Sequence, residues 1–183
     1  MIRGDLLEEQ GLDVPITYDD YKQTLTAIKE AYGTPDPIFL YPDNTKWISA
    51  GKNVQMGFSL DENGETIYGP IEDNFREYLK IIHDWYESGL IYKDFYVIPE
   101  GQNINYLIQK MSSGKSVVTF GYCEFAGMIQ LDEGQNLVAG YVPRDDKDEM
   151  VHLTDGVDRI ANTGRAFALG PTMMLHGMNM FLP

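Results

Sequence analysis

Residues 17–41, TYDDYKQTLTAIKEAYGTPDPIFLY, carry the reading that decides the fold. Thr17 offers the hydroxyl of a helix N-cap. Asp19 and Asp20 place carboxylates in the first turn, where the positive end of the helix dipole favours them. Tyr21, Leu25, Ile28 and Tyr32 recur at spacings of four, three and four, which makes one apolar stripe of a helix. Gly33 stops the helix, and Pro35 and Pro37 confirm the break. Ile38-Phe39-Leu40-Tyr41 then reads as a short strand, closed by the turn residues Pro42-Asp43-Asn44-Thr45. Residues 103–120, NINYLIQKMSSGKSVVTF, show the same order of a helix and then a strand. Ile104, Leu107, Ile108 and Met111 are the apolar side of the helix over Asn103–Met111, and Gly114 caps it. Ser116 to Phe120 is a β-branched run that predicts a buried strand.

Working outward, Val54–Leu60 and Glu65–Gly69 flank Asp61-Glu62-Asn63-Gly64. Asn-Gly between two strand-like runs predicts a β-hairpin near 54–69. The same turn is rich in oxygen ligands, but it lacks the alternating spacing and terminal glutamate of a calcium loop, so no metal is expected there. Gly69-Pro70-Ile71-Glu72-Asp73 leads into a long helix with Phe75, Leu79, Ile82 and Tyr86 as its predicted stripe and Gly89 as its end. Lys46–Ala50 reads as a short helix carrying Trp47, and Tyr92–Ile98 as a loop or short strand. Phe125–Leu131 reads as a helix closed by Gly134, Leu137–Val142 as a strand, and Arg144–Glu149 as a charged, solvated loop. Arg159–Leu169 reads as a strand pair, and the Met-rich segment from Thr172 to Pro183 lacks periodicity. Helices alternating with strands, without an internal repeat, predict a layered α/β domain.

At 183 residues the chain is long enough for one domain with a sizeable core. Fourteen basic residues stand against 28 acidic ones, a net charge of -14. That field repels phosphate backbones, which argues against nucleic acid as a partner, and it leaves no basic face for a membrane surface. The single cysteine, Cys123, rules out an internal disulfide and reads as a small apolar residue. No apolar run approaches the roughly 18 residues of a membrane span. The first ten residues, MIRGDLLEEQ, hold no apolar signal region.

The search for chemistry is mostly negative. His83, His152 and His176 stand at no metal-ligand spacing from one another. There is no nucleophile elbow, phosphate loop or dinucleotide fingerprint. The acidic pairs Asp19-Asp20, Asp145-Asp146 and Asp148-Glu149 read as exposed, and nothing sets two carboxylates across a cleft as a glycosidase needs. The positive signal is aromatic residues at element ends. Tyr41 stands where a strand meets a turn, with Trp47 six residues on, and Phe120-Gly121-Tyr122 stands where a buried strand ends. Ligands of open α/β sheets bind at the carboxyl ends of strands. Aromatic rings with polar handles suit sugars and other small polar solutes. Packing of the core or of a lobe interface would use the same rings.

Three segments carry a family resemblance. Arg3-Gly4-Asp5-Leu6-Leu7, with Gly11-Leu12, Pro15 and Thr17-Tyr18 after it, resembles the segment that enters the second lobe of family 1 extracellular solute-binding proteins. Gly69-Pro70-Ile71-Glu72, then Tyr78-Leu79 and Trp85-Tyr86-Glu87-Ser88-Gly89-Leu90-Ile91, is similar to a stretch of lipoprotein members of that family. Gly114-Lys115-Ser116-Val117-Val118 is similar to its strand before a cleft-facing loop. The resemblance runs over residues 3–143 and more weakly to 169.

It implies two α/β lobes joined by a hinge, with a solute trapped between them. The expected fold is one periplasmic-binding-protein-like lobe of type II, a mixed sheet flanked by helices. Residues 1–169 would be the second lobe and 170–183 a divergent tail. The chain would begin at a lobe boundary, end near the hinge recrossing, and lack the signal segment of a lipoprotein held outside the cytoplasm. The cleft-facing loops would fall on Tyr41–Trp47 and Gly121–Phe125, with Tyr41, Asp43, Trp47, Tyr122 and Glu124 as ligand contacts. The implied ligand is a sugar or oligosaccharide, the implied partner an ABC permease, and neither catalysis, cofactor nor metal is expected. A structural or interaction domain and, less favoured, a glycan hydrolase are the alternatives. An isolated lobe would expose an apolar cleft face and tend to self-associate.

Overall fold

The computed structural model describes residues 1–61, 63–98, 101–121, 123–149 and 151, and of the side chains at positions 43 and 123–125 nothing is described. The predicted strand pair over Arg159–Leu169, the boundary at 169, the segment 170–183, His152 and His176 lie outside the described residues.

Two elements precede the first predicted one: β1 (Ile2–Arg3) and α1 (Gly4–Gln10). Neither has a period to read, since β1 is two residues long and α1 has no side-chain N-cap. Tertiary contacts hold them. The Arg3 guanidinium pairs with the Asp5 carboxylate, with 6% and 10% of the two side chains exposed. Asp5 Oδ1 also accepts from the Asn136 N–H at 3.3 Å. Gly4 packs closely here: a Cβ there would stand 2.2 Å from Asn136 Oδ1, and that side chain would have to shift.

Helix α2 (Tyr18–Tyr32) starts as predicted. Thr17 Oγ1 accepts from the Asp20 N–H and Asp20 Oδ2 from the Thr17 N–H, both at 3.0 Å, a reciprocal capping box. Tyr21, Leu25 and Ile28 are buried, but the stripe extends to Tyr18 at its start and not to Tyr32 at its end. The Tyr32 ring is exposed, and its hydroxyl donates to Glu9 at 2.6 Å. Next come β2 (Ile38–Phe39), a 3-10 turn over Pro42–Asn44, α3 (Lys46–Ser49) and a second 3-10 turn over Ala50–Lys52.

The hairpin is present as β3 (Phe58–Leu60) and β4 (Thr66–Tyr68), antiparallel, with Phe58 opposite Tyr68 and Leu60 opposite Thr66. The Asp61 carboxylate accepts from the Asn63 and Glu65 backbone N–H groups at 2.9 and 2.7 Å, so its oxygens serve the turn. Gly69 ends the hairpin, where a Cβ would meet Gln55 O at 1.9 Å.

Helix α4 (Asp73–Glu87) keeps Phe75 of the predicted stripe in the core and Ile82 and Tyr86 packed against it, and corrects Leu79. Phe75, Tyr78 and Trp85 are buried, whereas Leu79 is half exposed. Adjacent stripes of one helix share the same period, so the partner surface chooses between them. Here the partner is α2: the Tyr18 and Tyr21 rings lie 6.1 and 6.3 Å from Trp85. After α4 the chain passes Ile91, which bridges Ile38 in parallel, and a 3-10 turn at Phe95–Val97 where a loop or short strand was expected. Helix α5 (Asn103–Ser112) and strand β5 (Val118–Thr119) follow as predicted. The helix expected over Phe125–Leu131 is instead a 3-10 segment, Cys123–Met128. Gly127 within it disfavours a sustained α-helix, and 3-10 geometry suits short pieces. The last strand, β6 (Leu137–Val138), is shorter than the predicted Leu137–Val142 because it pairs only along the two residues of β1.

The four-stranded sheet has the order β2-β5-β1-β6. β2 and β5 are parallel, and β1 runs antiparallel to both β5 and β6, so the sheet is mixed. Residues alternate across it. Ile38 and Leu40 enter a core with Leu25 of α2 and Trp85 of α4, while Phe39 and Tyr41 enter a second core with Leu107 and Met111 of α5. The fold is α/β, with helices on both faces of a mixed sheet.

Candidate functional site

Parallel pairing brings the carboxyl ends of β2 and β5 to one edge of the sheet. Beyond β2 the chain stays extended to Tyr41 and then turns at Pro42–Asn44. Beyond β5 it passes Phe120 and Gly121. Asn44 joins the two exits. Its Oδ1 accepts from the Tyr41 N–H and its Nδ2 donates to the Phe120 carbonyl, both at 2.9 Å, in a fully buried position. One amide therefore ties together segments 76 residues apart in sequence. A single residue read from the sequence as turn chemistry turns out to be the clasp of the site. The Tyr18 hydroxyl adds a second tie, donating to the Ile48 carbonyl of α3 at 2.6 Å. Burial, then the nearby Asp145 charge, pushes the Tyr18 phenol far above its usual range, so it stays a neutral donor.

The sequence-predicted contacts fall differently on this frame. Tyr41 is 8% exposed, and its ring packs 6.3 Å from Phe39 in the second core. Trp47 is half-buried against the larger core, with the Lys46 ammonium 5.9 Å from its ring centroid. Asp43 lies in the clasped turn and Glu124 in the 3-10 segment after β5, but their side chains are not described. Tyr122 lies outside the described residues. Phe120, flagged with them at the strand end, packs inward 5.6 Å from the Tyr21 ring. At the end of β5, the Thr119 hydroxyl is buried with no hydrogen-bond partner among the described residues.

A second concavity, of about 270 Å³, opens between α2 and α4 beside the Arg144 loop. Most of its charged side chains have partners within the fold. Lys22 pairs with Asp84 and Lys80 with Glu77 at 2.7 Å, Asp145 pairs with Lys52 at 2.6 Å, and Arg144 donates to the Glu149 carbonyl at 2.9 Å. The Arg144 loop is thus partly built into the fold, where a solvated loop was expected, and Arg144 also bridges Thr17. Internally paired charges leave little for a ligand to satisfy. Among the described residues, no three His, Cys, Asp or Glu side chains come together to hold a metal, and no helix is long and apolar enough to cross a membrane.

No protein-family model matches the chain. Lipoprotein LipO of Bacillus subtilis is 32% identical over 114 residues, covering 54% of this chain and 22% of that protein. The ABC-transporter substrate binding protein FusA of S. pneumoniae, in complex with kestose, superposes with a TM-score of 0.61 at 22% identity, over 76% of this chain and 30% of that one. A putative oligosaccharide periplasmic-binding protein from Synechococcus sp. MITs9220 gives 0.53 at 21% identity, over 81% and 38%. The chain therefore spans about a fifth of the curated relative and less than two fifths of these solved structures. Its mixed α/β fold is similar to that of part of these two solved structures.

Proposed function

We propose that this chain is one lobe of an extracytoplasmic solute-binding protein, taking an oligosaccharide at the carboxyl ends of β2 and β5 and serving an ABC importer without chemical turnover. The observation that carries this reading is the Asn44 clasp, which makes one surface of two strand exits where open α/β sheets bind ligands. Kestose in the FusA complex and the oligosaccharide in the name of the Synechococcus protein support the ligand class. On this reading Trp47 and Tyr122 supply flat faces for sugar C–H groups, and Asp43 and Glu124 accept from sugar hydroxyls. Tyr41 offers little more than a ring edge. Residues 1–169 form the lobe, with 170–183 outside it. The opposite wall of the site comes from a second lobe, and a lipid anchor, as in LipO, holds the protein at the membrane beside its permease.

The test is a thermal-shift and calorimetric screen of neutral and acidic oligosaccharides, against this chain and against a longer protein carrying both lobes. A ligand that binds only the native state raises the unfolding midpoint. Half a site should bind only at millimolar levels, about 4 kcal/mol, while the two-lobed protein binds far more tightly. Asp43→Ala should abolish the ligand-induced shift without lowering the ligand-free midpoint. Absence of a shift in the two-lobed protein with every sugar sinks the reading, and release of new reducing ends would make the protein a glycan hydrolase.

A further inference from the structure

The β3–β4 hairpin turns three of its four apolar side chains outward, Ile67 beside Ser59 being the one on the inner face. Side chains alternate across a two-stranded sheet. Here Ser59 faces inward and is buried, whereas Phe58, Leu60 and Tyr68 face outward. Phe58 is 72% exposed, and its ring lies 4.9 Å from that of Tyr68 directly across the ladder. Met56 just before the hairpin and Ile71 just after it are exposed as well, Ile71 to 78%. A hairpin standing on its own gains little from such residues unless something covers them, and an apolar surface of this kind ringed by polar groups marks an interaction site.

Charge narrows the occupant. From Asn53 to Phe75 the sequence has no lysine, arginine or histidine. Asp61 and Glu65 stand at the hairpin turn, and Glu72 and Asp73 follow its far end. The apolar centre therefore has an acidic rim with no cation of its own stretch to neutralise it. A second copy applied face to face would set rim against like rim. Nucleic acid and anionic lipid are repelled in the same way. A protein surface carrying an apolar anchor among lysines and arginines is the complement, with the anchor supplying affinity and the rim supplying approach and register.

We propose that the outward face of the β3–β4 hairpin, carrying Phe58, Leu60 and Tyr68 and flanked in sequence by the exposed Met56 and Ile71, is a docking surface for a protein that presents an aliphatic or aromatic anchor ringed by basic residues. The surface uses none of the residues assigned to the strand exits of β2 and β5, so it stands or falls independently of the oligosaccharide reading.

The experiment uses the whole chain and a random peptide library displayed on phage. Peptides selected on the chain should combine an apolar anchor with lysine or arginine, and their binding should weaken as salt rises. Phe58→Ser should weaken them about tenfold or more, as truncation of a central anchor does. Ile71→Ser, outside the hairpin strands, should weaken them as well, so that the result does not depend on the hairpin keeping its shape. Both variants should keep the melting midpoint of the parent chain. The proposal is overturned if the selected peptides are acidic or lack an anchor, or if they bind both variants as well as the parent. It is also overturned if the chain sediments as a dimer that Phe58→Ser disperses, since the occupant is then a second copy. Oligosaccharides that shift the Phe58 and Tyr68 resonances would overturn it in favour of a sugar platform.

Discussion

Asn44 and Asp5 show how much a single buried polar side chain decides in this protein. Asn44 satisfies one donor and one acceptor on two separate strand exits. Asn44→Ala leaves both unpaired in a buried place, which costs about 1–3 kcal/mol per orphaned group. The urea midpoint should fall accordingly, and ligand affinity should fall with it, because the two exits lose their common register. Asp5 is a pH-dependent case. Burial alone would raise its carboxyl, but the hydrogen bond from Arg3 and that from Asn136 outweigh burial and hold it below the usual carboxylate range. A depressed native pKa gives stability that is fully present above the unfolded value of about 3.9 and is lost as pH falls through the native value. The urea midpoint of the parent chain should therefore drop on the acid side of about pH 4. Asp5→Ala should lose that drop and be less stable at neutral pH by about 3–5 kcal/mol, because Arg3 is left buried and unpaired. A midpoint of Asp5→Ala equal to the parent's at pH 7 would dismiss the ion pair as a stabilising contact.

At the scale of elements, the caps and the buried sides of α2 and α5 were legible, and the stripe of α4 was legible only in part. The Thr17–Asp20 capping box is a matter of two residues three apart, and it forms as read. The stripe of α4 needed its neighbour: Trp85 is buried between the Tyr18 and Tyr21 rings, and Leu79 points outward. Trp85→Ala should cost about 3–5 kcal/mol and Leu79→Ala no more than about 0.5 kcal/mol, measured by urea unfolding. The reverse order would restore the stripe expected from sequence. The hairpin was legible in its Asn63-Gly64 turn, yet period-two reasoning assumes that the apolar side faces a core, and here that side faces out. The 3-10 segment Cys123–Met128 and the two residues of β1 carry too few positions for any period to register.

At the scale of the molecule, one sheet carries two cores. Leu25 belongs to the core under α2 and α4, and Leu107 to the core under α5. Because β2 and β6 contribute side chains to both cores, the halves are expected to melt together. Leu25→Ala and Leu107→Ala should each cost about 2–5 kcal/mol, and each should shift the same single transition seen by circular dichroism and by fluorescence. Two separated transitions in either variant would show the cores to be independent. The sequence by itself determined the α/β class, the helices Tyr18–Tyr32, Asp73–Glu87 and Asn103–Ser112, the buried strands at 38–39 and 118–119, and the hairpin turn. Each of these rests on contacts within a few residues, where period, cap and turn chemistry act. Only the tertiary structure decided that β1 runs antiparallel between β5 and β6, that Tyr41 and Phe120 turn inward, and that Asn44 clasps the two strand exits. Those outcomes depend on partners distant in sequence, Val118 and Val138 for Ile2 and a carbonyl 76 residues away for Asn44, and no local pattern encodes which of several apolar or polar neighbours a side chain will meet.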